Sequence, residues 1–287
     1  MQNCESRKSQ IDNFRENIVE NYRQIWANMI ADWSSDDPRS LGWLMYSANY
    51  LFRTNKIYWA VDPFLLSTRI AAPFWEQQIS DLSKLDFVLL THRHNDHFDR
   101  GLIHALRDFP IQWVVPQEMR SDVLELINDP KKIVVATHGK LLTCSGMNIM
   151  PFNSLHFDDS RETKIHGVPE TGYLVQFQEK KWLFPGDIRN YRAELLPEFG
   201  PVDLLFAHLW LGRKSGQADP PPLLEQFCEF CLALQPAQIV ISHLYEAGRK
   251  PDSLWDLSHF EKVKRSLEKL SPNLPISAAL IGQKIQI

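Results

Sequence analysis

The chain has 287 residues, 44% hydrophobic and 23% charged, with 31 basic against 35 acidic side chains and a formal net charge of −4. That balance describes a globular protein large enough for a sizeable core, and it excludes a disordered tail, a collagen or a coiled-coil rod. It also offers no basic excess for nucleic acid. The longest apolar runs, such as Phe87-Val88-Leu89-Leu90, fall far short of the roughly 20 residues of a membrane span.

The opening segment, with Gln2, Asn3, Glu5, Arg7 and Lys8, lacks the apolar stretch of a secretory leader, so a cytoplasmic protein is expected. Four cysteines in so long a chain are not a disulfide framework. Cys4 and Cys144 stand alone. Cys228 and Cys231 form a CxxC pair inside an amphipathic run, where two core thiols are expected rather than a redox or zinc pair.

In chain order, residues 9–33 carry a helical stripe through Ile11, Phe14, Ile18, Val19, Tyr22, Ile25, Trp26, Met29, Ile30 and Trp33. Ser34, Ser35, Asp36, Asp37 and Pro38 then end it. So wide and aromatic a stripe must be covered, and a helix on a sheet is expected rather than a dimer or membrane-surface helix. Segments 43–50 and 57–61 read as two strands joined across 53–56, and 73–82 as a helix. The buried strand 87–91 precedes a helix at 99–108. Strands at 113–115 and 133–136 flank a helical stretch at 119–127. Strands follow at 147–152, 172–177 and 182–184. Short buried strands at 203–207 and 238–242 surround a helix at 222–234. A helix at 255–270 and strands at 276–281 and 284–287 close the chain. No linker separates the halves, so one α/β domain of two similar halves is expected, with sheets inside and helices outside.

The segment Thr91-His92-Arg93-His94-Asn95-Asp96-His97 carries an HxHxDH pattern directly after an apolar strand. In extended backbone, residues two apart share a side, so His92 and His94 can grip one ion. Asp96 and His97 fall where the chain turns, and they point towards a neighbouring ion. Neutral imidazoles and a carboxylate suit zinc, iron or manganese. Two ions need more donors, and the candidates stand at other strand ends: His156, His243, and Asp187 after Pro185 and Gly186. His104, His138, His166 and His259 read as packing or surface residues. His208 also ends an apolar strand, and two readings stay open for it: a group at the site or a satisfied core histidine.

These residues, in this order, resemble the metallo-β-lactamase superfamily. The resemblance implies a four-layer αββα sandwich over residues 41–287, and residues 1–40 are expected, from their own stripe, as a helical extension packed on it. It implies a first metal held by His92, His94 and His156, and a second held by Asp96, His97 and His243. Asp187 would bridge them together with a water or hydroxide. Two divalent cations follow, Zn2+ first, with Mn2+ or Fe2+ as alternatives. His94 stands where the di-iron flavoproteins of the superfamily carry glutamate, which favours hydrolysis. Phe98-Asp99 after the motif, the strand pair ending in Asp62-Pro63, and the closing Gly282-Gln283-Lys284 look like the branch of ascorbate-6-phosphate lactonase and the N-acyl-phosphatidylethanolamine phospholipase D enzymes. The helical segment 1–40 departs from that branch.

The expected chemistry is attack by a metal-activated water on an electrophilic carbon or phosphorus. Asp96 would orient the water and accept its proton, and His208 is the candidate acid for the leaving group. Arg189, Arg213, Lys214 and Arg249 follow the candidate ligands and suit phosphate or carboxylate. A small anionic substrate is therefore expected, either a phosphorylated lactone or a phosphodiester. Simply solvated basic loops are the alternative. Arg93 should face away from the metals, and Tyr191, Trp210 and Tyr245 are candidates for an apolar wall. No nucleic-acid partner is expected, and association of identical chains is left open. The competing functions are an inactive metal- or ligand-binding member of the fold and a nuclease of the superfamily.

Overall fold

The computed structural model describes residues 6–70, 74–157 and 167–287. Strand alternation decides its architecture. In β2 (Tyr50–Thr54), β3 (Ile57–Val61) and β4 (Phe87–Leu89), the residues Tyr50, Phe52, Trp59, Val61, Phe87 and Leu89 share one apolar cluster. Their neighbours Leu51, Ala60 and Val88 belong to another. Both faces are apolar, as required of strands covered on both sides.

The sheet order is β14-β1-β2-β3-β4-β5-β6, where β1 is Leu41–Leu44, β5 Gln112–Pro116, β6 Ile133–Ala136 and β14 Lys284–Gln286. The second sheet runs β13-β12-β11-β10-β9-β8-β7. Its strands are β7 (Leu142–Cys144), β8 (Met147–Asn153), β9 (Thr171–Phe177), β10 (Lys180–Phe184), β11 (Leu204–His208), β12 (Ile239–Ser242) and β13 (Ile276–Ala278). The sheets meet through aromatic rings, with Phe52 5.5 Å from Phe184 and Trp59 6.0 Å from Trp182.

The outer face of the first sheet is covered by α1 (Arg7–Trp33), α2 (Trp75–Leu82), α3 (Arg100–Ala105) and α4 (Arg120–Ile127). The second is covered by α5 (Leu224–Ala233) and α6 (Leu257–Leu270). The four layers are those of the αββα sandwich. Cys144, Cys228 and Cys231 are buried and unpaired, so the CxxC pair packs in the core.

Strands β3, β4, β5 and β6 run parallel, as do β10, β11, β12 and β13. The antiparallel pairings of β9 with β8 and with β10 turn β8 the same way as β10. The carboxyl ends of these strands therefore gather at one edge, where sites on such sheets form.

Three sequence expectations change. The strand expected at 43–50 breaks into β1 and β2, because residues 45–49 fold into a loop. There Asn49 Oδ1 accepts from Ser47 N, and its amide donates to Asp62 O and Asp96 O, both at 2.7 Å. The hairpin turn then falls at Asn55 and Lys56, both with positive φ (47° and 66°), as a two-residue turn between twisted strands needs. The hairpin strand β7 was missed, since three residues of mixed polarity carry no periodic signal. The strand expected at 276–281 stops at Ala278.

Helix α1 uses its aromatic stripe against the first sheet, burying Ile11, Ile18, Tyr22, Trp26, Met29 and Trp33. Trp26 Nε1 donates to Asp81 on α2 and Trp33 Nε1 to Phe52 O, each at 2.8 Å. The carbonyls at its C-terminal end are met by Arg53, 1% exposed, whose Nη1 donates to Asp32 O at 2.9 Å, Trp33 O at 3.2 Å and Ser35 Oγ at 2.8 Å. A buried guanidinium on the negative end of a helix satisfies acceptors that the helix cannot. At the other end, Arg7 reaches Asp256, the N-cap of α6, at 2.7 Å and Leu254 O at 2.9 Å. Phe14 stacks on Tyr245 at 3.8 Å, and Arg15 donates to Glu246 O. The helix thus crosses from the first sheet to the loop after β12.

Arg53→Met should leave those half-buried carbonyls without their partner and cost about 1–3 kcal/mol. Urea unfolding monitored by tryptophan fluorescence measures it. An unchanged midpoint would show that Arg53 is dispensable for capping.

Candidate metal centre

The HxHxDH segment leaves β4 as a loop, held by Thr91. Thr91 N donates to Asp62 Oδ1 at 2.8 Å, and its hydroxyl donates to Asp62 Oδ2. His92 Nε2 and His94 Nδ1 approach to 3.1 Å, so the two rings present nitrogens to the same point. His156, beyond β8, closes on them with ring centroids 4.7 Å from His92 and 4.8 Å from His94. One donor atom each from His92, His94, His156 and Asp187 lies within 4.8 Å of the others.

A second group, Asp96, His97 and His243, satisfies the same measure. His97 Nε2 is 3.8 Å from Asp96 Oδ2 and 3.5 Å from Asp187 Oδ1. His243 Nε2 is 3.8 Å from Asp96 Oδ2 and 3.9 Å from Asp187 Oδ2. Asp187 lies between the two groups. All seven residues expected as ligands therefore meet at one sheet edge.

The fit to cations rests on unpartnered atoms. Asp96 Oδ2, His97 Nε2 and His243 Nε2 are buried and make no hydrogen bond. Buried polar atoms are normally satisfied. Around an ion with bonds of about 2.0–2.1 Å, donors settle a little over 3 Å apart, close to the spacings found. The donor set of imidazoles and carboxylates suits Zn2+, Fe2+ or Mn2+.

Electrostatics separates the groups. Burial, then the neighbouring His92 and His156 rings, push His94 down to about 4, so it stays neutral. Burial also opposes charge on His97, but Asp187, Asp96 and Asp62 overcome it and raise His97 to about 10. His243 is raised as well, because Asp187, Asp96 and Glu246 outweigh its burial. Asp96 and Asp187 are pulled below the carboxylate range against burial, Asp96 by His97 and His243, and Asp187 first by His243 and Arg189. Without ions, a proton on His97 offsets part of the neighbouring carboxylate charge.

His208 sits behind the centre, 4% exposed, with Nδ1 2.9 Å from Asp187 Oδ1. Burial lowers it despite Asp187, and its Nε2 makes no hydrogen bond. It is absent from the lining of the adjoining cleft.

That cleft, about 350 Å3, is lined by His94, His156, His243 and all four expected substrate residues, Arg189, Arg213, Lys214 and Arg249, with Trp210 and Trp255. Arg189 is fixed by Asp187 Oδ2 at 2.9 Å and by the Trp210 ring, 4.9 Å from its guanidinium carbon. Arg249 Nε pairs with Glu246 at 2.7 Å and its Nη2 lies 4.0 Å from Asp96. Arg93 faces away, donating to Glu118 O and pairing with Asp122.

Tyr191 does not line the cleft. It is packed on Phe227 and Phe230, with its hydroxyl on Trp210 O. Tyr245 turns to α1 instead. His104 and His138 are exposed, His259 caps α6, and His166 lies outside the described residues.

Sequence reasoning missed two carboxylates behind the ligands. Asp62 holds His97 Nδ1 at 2.8 Å. Glu170, 1% exposed, lies 2.9 Å from His92 Nδ1 and 3.4 Å from His156 Nδ1, and accepts from Asp187 N at 3.0 Å. Asp62 had a signal, its place at a strand end before Pro63. Glu170 had none.

Residues 60–244 match the family model described as Beta-lactamase superfamily domain, which is more than half of the chain. The fold and the gathered histidines define a metallo-β-lactamase-type scaffold, and the chain belongs to this superfamily. Solved structures share the fold at low identity. A metallo hydrolase, Igni18, from Ignicoccus hospitalis is similar with a TM-score of 0.62 and 16% identity, over 86% of this chain and 97% of that one. CmlA, a diiron β-hydroxylase from Streptomyces venezuelae, is similar at 0.61 and 17%, over 88% and 55%. Unliganded yeast PDE1 is similar at 0.55 and 13%, over 88% and 100%. No curated protein matches by sequence.

A cation entering beside His97 must displace the proton held there with a pKa of about 10. Metal uptake by the metal-free protein at pH 8 should therefore release at least one proton per chain, and affinity should climb with pH up to about 10. The linked stability has the opposite sign. The proton on His97 stabilises the metal-free fold fully below the unfolded value near 6.5, and that contribution fades as pH rises through about 10. Indicator-dye titration in weak buffer counts the protons. A count of zero would contradict the charge balance described.

Proposed function

We propose that the chain is a cytoplasmic, metal-dependent hydrolase acting on a small anionic substrate through two divalent cations, Zn2+ first. The convergence of seven donor side chains, four with unpartnered buried atoms, beside a cleft carrying four cationic side chains supports this most directly. His92, His94 and His156 would hold the first cation and Asp96, His97 and His243 the second, with Asp187 shared. When bound, such cations lower the pKa of a water from 15.7 towards about 7 and polarise the electrophile.

The chain's own groups do the rest. Asp96 is positioned to accept the proton from the attacking water. Arg189, held by Asp187 and stacked on Trp210, presents a preorganised guanidinium to phosphate or carboxylate at little entropic cost. Arg213, Lys214 and Arg249 line the same wall and would bind the anionic part further from the reacting atom. His208, buried behind Asp187, is better placed to hold that carboxylate than to protonate a leaving group. Buried free thiols suit a reducing compartment. Within the superfamily, a phosphorylated lactone or phosphodiester is the substrate class proposed, in keeping with the lactonase and phospholipase D-like branch that the sequence resembles.

Elemental analysis of the purified protein should find two transition-metal ions per chain. Hydrolysis should then appear on phosphodiesters or phosphorylated lactones and not on neutral esters. His92→Ala should lose metal and activity together while the fold persists by circular dichroism. Arg213→Gln should raise KM for the anionic substrate about tenfold, with kcat nearly unchanged. Activity surviving His92→Ala would refute the assignment.

A further inference from the structure

Glu170 is a carboxylate with no route to water, and three groups converge on it. Oε1 lies 2.9 Å from His92 Nδ1, Oε2 lies 3.4 Å from His156 Nδ1, and both oxygens accept from Asp187 N at 3.0 Å. Its own side chain is fully buried. Room is kept for it at Gly186, where φ is +84° and a Cβ would stand 2.4 Å from Glu170 Oε1. An alanine there would meet both the strained backbone and the carboxylate.

Asp62 does the corresponding work on the other side. It accepts from His97 Nδ1 at 2.8 Å and from Thr91 N at 2.8 Å. Thr91 Oγ1 donates to Asp62 and stands 2.9 Å from His92 Nδ1, so one hydroxyl joins the two carboxylates. Two buried carboxyl groups thus stand behind the histidines, Glu170 behind His92 and His156 and Asp62 behind His97.

We infer that Glu170 is the positioning residue of the first cation site. At 2.9 Å from His92 Nδ1 it locks that ring in the tautomer with the proton on Nδ1, it stands behind His156 at 3.4 Å without a hydrogen bond, and it pins the turn that presents Asp187, while Asp62 serves His97 in the second site. This rests on the two-cation reading above. An acceptor behind the ring keeps Nε2 unprotonated and aimed at an ion, and such outer partners commonly control affinity by 10–100-fold. Glutamine at 170 reverses the logic. Its amide donates towards Nδ1, favours the tautomer with the proton on Nε2, and removes a lone pair from the metal.

The test is Co2+ titration of metal-free protein, followed by visible absorption and by competition with a chromophoric chelator. Unaltered protein should bind two Co2+. Glu170→Gln should weaken one of them 10–100-fold and leave the other near its original affinity, with half of the absorption change lost at limiting metal. Nitrogen-15 spectra of the metal-free variant should show His92 switched in tautomer. Asp62→Asn should spare the ion that Glu170→Gln loses. Two Co2+ bound with original affinity in Glu170→Gln would overturn the inference. So would equal loss of both ions with a lower Tm of the metal-free protein, which would make Glu170 a packing element only. Should Glu170→Gln fail to fold, Glu170→Asp keeps the charge but withdraws it by one methylene. It should weaken the same ion by a smaller factor, and full affinity there would equally overturn the inference. No metal uptake by the unaltered protein would instead sink the two-cation reading.

Discussion

Charge held out of water is the constraint on which this structure depends. Asp62, Asp96, Glu170 and Asp187 all stand at or near full burial at one edge of the sandwich. Isolated carboxylates would not remain ionised there. Asp96, Glu170 and Asp187 are held ionised by the histidines, backbone amides or arginine that face them, and Asp62 is met by His97 and Thr91. The fold supplies those partners by ending strands of both sheets at the same edge, so that no donor has to travel along a flexible tether. The links between the sheets at this edge follow the same logic. Thr171 N donates to Thr91 O at 3.0 Å, Tyr173 Oη to Leu90 O at 2.6 Å, and His243 N to Ser47 O at 2.8 Å.

What could be read beforehand had a local or periodic signature. The stripe of α1 repeats at helical spacing from Ile11 to Trp33, about six turns, and β4 and β12 are short runs apolar on both faces. The HxHxDH segment was legible because four donors fall within six positions after a strand. The distal ligands were legible only as chemistry-bearing residues at strand ends, and their pairing into two sets came from resemblance to a family.

The rest was hidden for physical reasons. Glu170 is a lone acid between a segment of mixed composition and β9, and its meaning arises only when three partners from distant strand ends reach it. The loop at 45–49 reads as strand because Met45 and Tyr46 continue the apolar run. What breaks the strand is Asn49, satisfied by Asp62 O and Asp96 O some 13 and 47 positions away. Tyr191 and Tyr245 looked like wall residues because loop aromatics are equally at home in cores, and only packing against Phe227 and Phe14 distinguishes the two.

Helix α1 has a consequence beyond covering a sheet. Its C-terminal end is anchored by Arg53 in the first sheet, while Arg7, Phe14 and Arg15 grip the segment that carries Glu246, Leu254 and the rim of the cleft. The start of α1 and the rim of the cleft are therefore held by the same contacts, so what loosens one loosens the other. The amino-terminal strap makes the breadth of the doorway a property of the whole molecule's tertiary stability.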